Sequence, residues 1–327
     1  MQDVKDLKNI IDKKIKESNN VFITFHNCVD IDAIASAIGL SYIIRKIGKE
    51  PYIILNDSYD KIENGAKKIL DVEIKNFNII PLEIYNELKT NNDLLIVVDA
   101  NKEKQVCCRE YLSDFKDIII IDHHKEEEDT IKTDYKYIKK VSSASEIIIE
   151  LFNLYKFKIN ENLSNYLLAG IYLDTNKYSV NCSYRTMELV SKLMKKGADT
   201  LKVSEFFEED FFSDRKIQEL VGKATFITEN IALCIADKNI KYTKAELAKV
   251  ADYLLKYKID AVFAAGFIDD EIISISARSK GNIDVSEIMK NFGGGGHVYS
   301  AASELKDVSF DDISKKLNKI LNKKSDD

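Results

Sequence analysis

The stretch IIIIDHHK, Ile118 to Lys125, runs four aliphatic residues straight into an acid and two imidazoles. A short continuous apolar run reads as a strand buried on both faces, the kind found in parallel sheets covered by helices. Ligands of such sheets gather where the strands end. The chain has four histidines, and two of them stand here side by side.

Moving outward, VFITF (21–25), PYIILN (51–56) and LLIVVD (94–99) repeat the pattern, interleaved with helical segments at 33–48 and 143–157. Two more helices follow around 163–173 and 185–197, the latter stopped by Gly197 with lysines in its last turn. This alternation predicts an α/β fold, a parallel sheet with helices on both faces over residues 1–200. Residues 201–222 are charged and helical and read as a connector. From 223 to 327 the strands ATFITENIALCIAD, AVFAAGFI and EIISISAR, with Asp269-Asp270 as a turn and a helix at 243–257, predict a smaller α/β domain with a mixed sheet.

The bulk properties agree. A chain of 327 residues suits two cores, and 45% hydrophobic with 31% charged residues is a globular composition. No apolar run approaches the ~20 residues that span a bilayer, and the N-terminus reads as a charged amphipathic helix without a signal-peptide core. The expected compartment is the cytoplasm. Five cysteines without CxxC spacing suggest neither a disulfide framework nor a zinc ribbon. A net charge of -6 argues against sequence-independent binding of a long nucleic acid.

The strands end alike. VFITF is followed by His26, Asp30 and Asp32, LLIVV by Asp99, and the isoleucine run by Asp122, His123 and His124; Asp174 ends a further apolar segment. Asp30 and Asp32 could aim at one locus if the chain stays extended there. Taken singly, an Asp at a strand end is most often a helix cap and a lone His a structural side chain. Taken together, carboxylates and imidazoles at successive strand ends suit two hard divalent cations, Mn²⁺ or Mg²⁺ rather than zinc, that activate a shared hydroxide and clamp a phosphoryl group.

A second feature is NFGGGGHVYSAA, 291–302, which holds four of the twelve glycines and the fourth histidine. Its backbone N–H groups could approach a phosphate closely, although a glycine run is more often a flexible linker. Arg278 could add a guanidinium to the same anion or be a solvated strand-end charge. Ser143 and Glu146 have the spacing of a capping box, and Cys107-Cys108 reads as packing.

These residues resemble the DHH phosphoesterase superfamily with its DHH-associated second domain. The motifs stand here as HNCVDIDAIASAIG, VVDA, DHHK, DTNKYS and ISARSKGNIDVSEIMKNFGGGGHVYSAA. The resemblance is strongest to the catalytic half of bacterial cyclic-di-AMP phosphodiesterases, with the oligoribonuclease and phosphoadenosine-phosphate phosphatase branch close by. It implies a phosphodiesterase with two Mn²⁺ ions, Mg²⁺ or Co²⁺ serving as substitutes. One ion would sit on His26, Asp30 and Asp99 and the other on Asp32, Asp99, His123 and Asp174. Asp99, His123 and His124 would be catalytic, His124 contacting a phosphate or supporting the ligands. Arg278, Ser279, Gly293, Gly294, Gly295, Gly296 and His297 would hold the nucleotide. The implied substrate is cyclic di-AMP, opened to linear pApA; the alternative is a short linear oligonucleotide or phosphoadenosine phosphate. Phe25 and Asn181 depart from the cyclic-dinucleotide branch, which usually has Gly and Arg there. A homodimer is left open, as is whether the chain is free-standing or one half of a membrane-anchored protein.

Overall fold

The computed structural model describes residues 3–56, 59–208 and 210–323, and the chain divides after Glu208 into two compact units. In the first, the elements run α1 (Val4–Glu17), β1 (Val21–Thr24), α2 (Ile31–Ile47), β2 (Tyr52–Ile54), α3 (Asn64–Glu73), β3 (Asn78–Ile80), α4 (Leu82–Leu88), β4 (Leu94–Val98), β5 (Asp117–Asp122) and β6 (Tyr135–Ile138). Then come α5 (Ala144–Tyr155), α6 (Glu161–Asp174), α7 (Tyr184–Lys195) and α8 (Thr200–Glu205). The six strands form one parallel sheet in the order β3-β2-β1-β4-β5-β6.

Burial on both faces explains the apolar runs. Val21, Ile23, Leu94, Ile96, Val98, Ile119 and Ile121 join the core under α1, α2, α5, α6 and α7. Their alternates Phe22, Leu95, Val97, Ile118 and Ile120 join a second core with Tyr85, Leu112 and Phe115. Side chains alternate across a strand, so the middle of a strand between two cores is apolar on both faces. Strands β1 and β4 are neighbours although β2 and β3 lie between them in sequence. The sheet is thus built outward in both directions from that pair, and the crevice where the order reverses is the binding place of such sheets.

The second unit contains α9 (Phe211–Val221), β7 (Thr225–Thr228), β8 (Ile231–Ile235), α10 (Lys244–Leu255), β9 (Ala261–Phe267), β10 (Ile272–Ser279), α11 (Val285–Lys290), β11 (Gly295–His297), β12 (Ser300–Lys306) and α12 (Phe310–Lys323). Its sheet is mixed, in the order β11-β12-β10-β9-β8-β7, with β8 and β9 parallel and the other pairs antiparallel. Asp269 makes the turn before β10, accepting the backbone N–H groups of Glu271 and Ile272. The segment read as a connector is divided, α8 belonging to the first unit and α9 to the second. Among the described residues, no helix is long and apolar enough to cross a membrane.

Candidate metal centre

The C-terminal ends of β1, β4 and β5 lie side by side and deliver their polar residues to one place. After β4 the chain turns at Asp99, a non-glycine residue in the left-handed region (φ 54°). Aspartate tolerates this conformation better than most residues, yet it costs about 1 kcal/mol or more and marks a constrained site. The Asp99 carboxylate is 2% exposed. Its Oδ2 lies 3.4 Å from His26 Nε2 and its Oδ1 lies 3.2 Å from His123 Nε2.

Three overlapping groups of donors converge here, all sharing Asp99; one of them, Asp99, Asp122, His123 and His124, overlaps the others through Asp99 and His123, and the other two meet only at Asp99. His26, Asp30 and Asp99 make one of these two; Asp32, Asp99, His123 and Asp174 make the other, all donor atoms within each group lying within 4.8 Å of one another. Asp99 is common to both. Asp30 also caps α2, accepting the Ala33 N–H, while its other oxygen lies 3.5 Å from His26 Nε2. The chain is not extended from Asp30 to Asp32 as the sequence reading supposed: α2 begins at Ile31, and the two acids enter different groups. Asp32 is fully buried and accepts the backbone N–H groups of Ala144 (2.7 Å) and Ser145 (2.9 Å), the first residues of α5. Asp174 ends α6 and comes within 3.2 Å of His123 Nε2. After it, Asn176, Lys177 and Tyr178 are left-handed in succession.

Two of the three imidazoles are aimed from behind. His26 Nδ1 donates to the Asn27 carbonyl at 2.8 Å, which turns Nε2 toward Asp30 and Asp99. Asp122, completely buried, accepts from the backbone N–H of His123 and of His124 and from His124 Nδ1 at 2.9 Å. His124 is the exposed member, 57% by side chain. The sequence reading named Asp122 among the strand-end acids but gave it no orienting role. Ser143 does cap α5, but the Glu146 carboxylate goes to the backbone N–H and hydroxyl of Ser142 rather than completing the expected box.

Burial and mutual charge shift His26, Asp32, Asp99, His123 and Asp174. Burial opposes ionisation of Asp99, but the His123 and His26 imidazoles hold it down to about 2. Burial and the Asp99 charge push Asp32 up to about 7, and burial with Asp32 and Asp99 pushes Asp174 up to about 11. Burial works against charged imidazoles, yet Asp99 and Asp32 raise His123 to about 9, and Asp30 and Asp99 raise His26 to about 12. Asp99 Oδ1, His123 Nε2 and Asp174 Oδ2 are buried atoms without a hydrogen-bond partner among the described residues. Converging buried donors of this kind, three carboxylates to one imidazole, fit a hard divalent cation.

A pH dependence follows. Asp32, Asp174, His26 and His123 all bind protons more tightly folded than unfolded, so their stabilisation is full below their unfolded values and is lost as pH rises through about 7 to 12. The depressed Asp99 contributes fully above about pH 4 and adds no slope there. Divalent cation must displace those protons, so the gain in melting temperature on adding Mn²⁺ to chelator-treated protein should grow from pH 6 to pH 8.5. Thermal melts with and without metal measure it; a gain independent of pH would show that cation and protons do not share these atoms.

The residues expected to hold a nucleotide lie in the second unit. Arg278 stands near the end of β10, paired with Asp252 at 3.0 Å, and Ser279 accepts the Gly281 N–H. The glycine run is neither a flexible linker nor an open loop. Gly295 to His297 pair with β12 as the edge strand, and a Cβ at Gly294 or Gly296 would lie 2.1 Å or 2.4 Å from a β12 carbonyl oxygen. Gly293 and Gly296 also have positive φ. His297 is exposed.

Comparison with known proteins gives the chain its relatives. A family described as the DHH family, N-terminal domain, matches residues 20–173, and the DHHA1 domain matches residues 228–323. The chain is 29% identical over 321 residues to the cyclic-di-AMP phosphodiesterase PdeA of Listeria monocytogenes, covering 95% of this chain and 48% of that protein. The chain therefore spans about half the length of that relative. It is 27% identical over 320 residues to the bifunctional oligoribonuclease and PAP phosphatase NrnA of Mycoplasma genitalium, covering 92% of this chain and 95% of that one. An exopolyphosphatase-related protein from Bacteroides fragilis has a similar fold, with a TM-score of 0.77 at 20% identity over 98% of this chain and 96% of its own.

Proposed function

The chain carries a DHH family N-terminal domain followed by a DHHA1 domain, and from that premise we propose that it is a metal-dependent phosphodiesterase that opens cyclic di-AMP to linear pApA. The observation that carries the reading is the double use of Asp99, each of whose oxygens faces a separate group of donors. His26, Asp30 and Asp99 would hold one divalent cation, Mn²⁺ in this proposal, and Asp32, Asp99, His123 and Asp174 a second. When bound, the pair supplies positive charge to the phosphoryl oxygens and lowers the pKa of the attacking water.

The protein's own part is placement. The Asn27 carbonyl fixes the His26 imidazole, Asp122 that of His124, and the α5 N-terminus fixes Asp32, so little reorganisation remains when substrate arrives. His124, held through Nδ1 by Asp122 and raised in pKa by that carboxylate, keeps Nε2 free to donate to a phosphoryl or departing 3′ oxygen. Arg278, Ser279 and the Gly293 to His297 segment are proposed to contact the nucleotide.

A second reading has its own support: the oligoribonuclease relative is matched along 95% of its length, which favours cleavage of short linear oligonucleotides. Chromatography of a time course with Mn²⁺ decides between them. The expected result is cleavage of both substrates, with cyclic di-AMP converted to pApA faster than pApA is converted to AMP. Rapid AMP formation from pApA with cyclic di-AMP untouched would establish the second reading instead.

A further inference from the structure

A cleft of about 960 Å³ opens beside the paired imidazoles, wholly within the first unit. His123, His124 and Asp174 form the side that meets the metal centre; the remaining walls come from the chain after β6 and from the approach to α7. Lys125, Lys140 and Arg185 line it from three separate segments. The Lys140 ammonium has no ion pair or hydrogen bond among the described residues. Arg185 pairs with the largely buried Glu150 through one nitrogen, and its side chain stays 57% exposed, so a guanidinium with five N–H donors retains capacity for a second anion.

The acids facing the cleft are already engaged. Glu146 is buried and receives the Ser142 hydroxyl at 2.6 Å and the Thr186 hydroxyl at 3.1 Å, and Asp174 belongs to the cluster around Asp99. Three cations therefore surround space whose carboxylates are spoken for, next to the place where a phosphodiester would be cut. Ile138 and Val141 add apolar surface to the same wall, and Asn181 an amide. Phosphate contacts with apolar surface beside them are what one nucleotide unit requires, and the volume accommodates one.

We infer that this cleft is a nucleotide subsite of the first unit: Lys140 and Arg185 engage the phosphate one nucleotide removed from the one at the Asp99 cluster, and Ile138 and Val141 take a face of its sugar or base. This deepens the phosphodiesterase reading and rests on it for the identity of the ligand. It also gives the first unit affinity of its own for a dinucleotide before any cation is bound. Cys182, in the same wall and partly exposed, would be covered by the bound ligand.

The test is equilibrium titration of linear pApA into the chelator-treated full chain, wild type against Lys140→Glu and Lys140→Ala. Lys140 is exposed, so neither change removes a buried contact. The charge reversal should weaken binding at least tenfold and the alanine about threefold. Alkylation of Cys182, followed by mass spectrometry, should be slowed by pApA in the wild type and much less in Lys140→Glu. Equal affinities in wild type and Lys140→Glu, no binding at all, or no protection of Cys182 would overturn the subsite. Turnover with Mn²⁺ in the same preparations separates it from its premise. Binding that depends on Lys140 without cleavage of pApA or cyclic di-AMP supports the subsite and sinks the phosphodiesterase reading. Cleavage with the same KM in wild type and Lys140→Glu does the reverse.

Discussion

Asp99→Asn should lower kcat by at least about a thousandfold, some 4 kcal/mol of barrier, while leaving the far-UV circular dichroism unchanged. The asparagine keeps the size of the side chain and accepts the left-handed backbone at this position (φ 54°), which alanine would not do as readily. It removes the charge that holds the donors together. Asp99 is the one carboxylate in both groups, and the His123 and His26 imidazoles lower it to about 2, while Asp32 and Asp174 are pushed up. Losing it should weaken both cation sites at once, so metal analysis after dialysis should find fewer than one bound cation where the wild type retains two. Asp30→Asn, a change confined to one group, should cost less in both readouts. An Asp99→Asn protein that keeps two cations and normal turnover would rule out a shared carboxylate, and equal activity in chelator-treated wild type would rule out the metals.

Legibility from sequence followed burial. Strands β1, β4 and β5 sit between two cores, so their central positions are apolar and the run announces itself. Strand β3, three half-buried residues at the sheet edge, and β6, YKYI, carry no such run and were not anticipated. The donors that end strands could be read because a strand end is a fixed place in the fold. Their division into two groups came only with the family resemblance, not from the residue pattern, since it depends on α2 starting at Ile31 and on the turn at Asp99. Distant partners were invisible for the same reason: the support of Asp32 by α5 spans 112 residues. In the second unit, the glycine run suggested backbone N–H groups that could approach a phosphate; its close packing against β12, which excludes a Cβ at Gly294 and Gly296, had no signal in the sequence.

Gly170 shows how far such support reaches. It lies inside α6, where replacing glycine by alanine ordinarily stabilises a helix by about 1 kcal/mol. Here a Cβ would fall 2.3 Å from Ser145 Oγ and 2.5 Å from Asp32 Oδ1. The Asp32 carboxylate cannot move freely, because two N–H groups of α5 pin it, one of them from the Ser145 backbone. Gly170→Ala should therefore reverse the usual sign, destabilising the fold by about 1–3 kcal/mol through overpacking. Because the displaced group is a candidate ligand, cation affinity should fall about 10- to 100-fold as well, with the loss confined to the group that contains Asp32. Adding Ser145→Ala removes the hydroxyl clash but leaves the carboxylate clash. The double variant should recover part of the stability and little of the affinity, as metal titration and thermal melts of the three proteins would show. If Gly170→Ala melts higher than wild type and binds cation as tightly, α6 has room that the packing denies, and Asp32 is not held in place by the absence of a side chain at position 170.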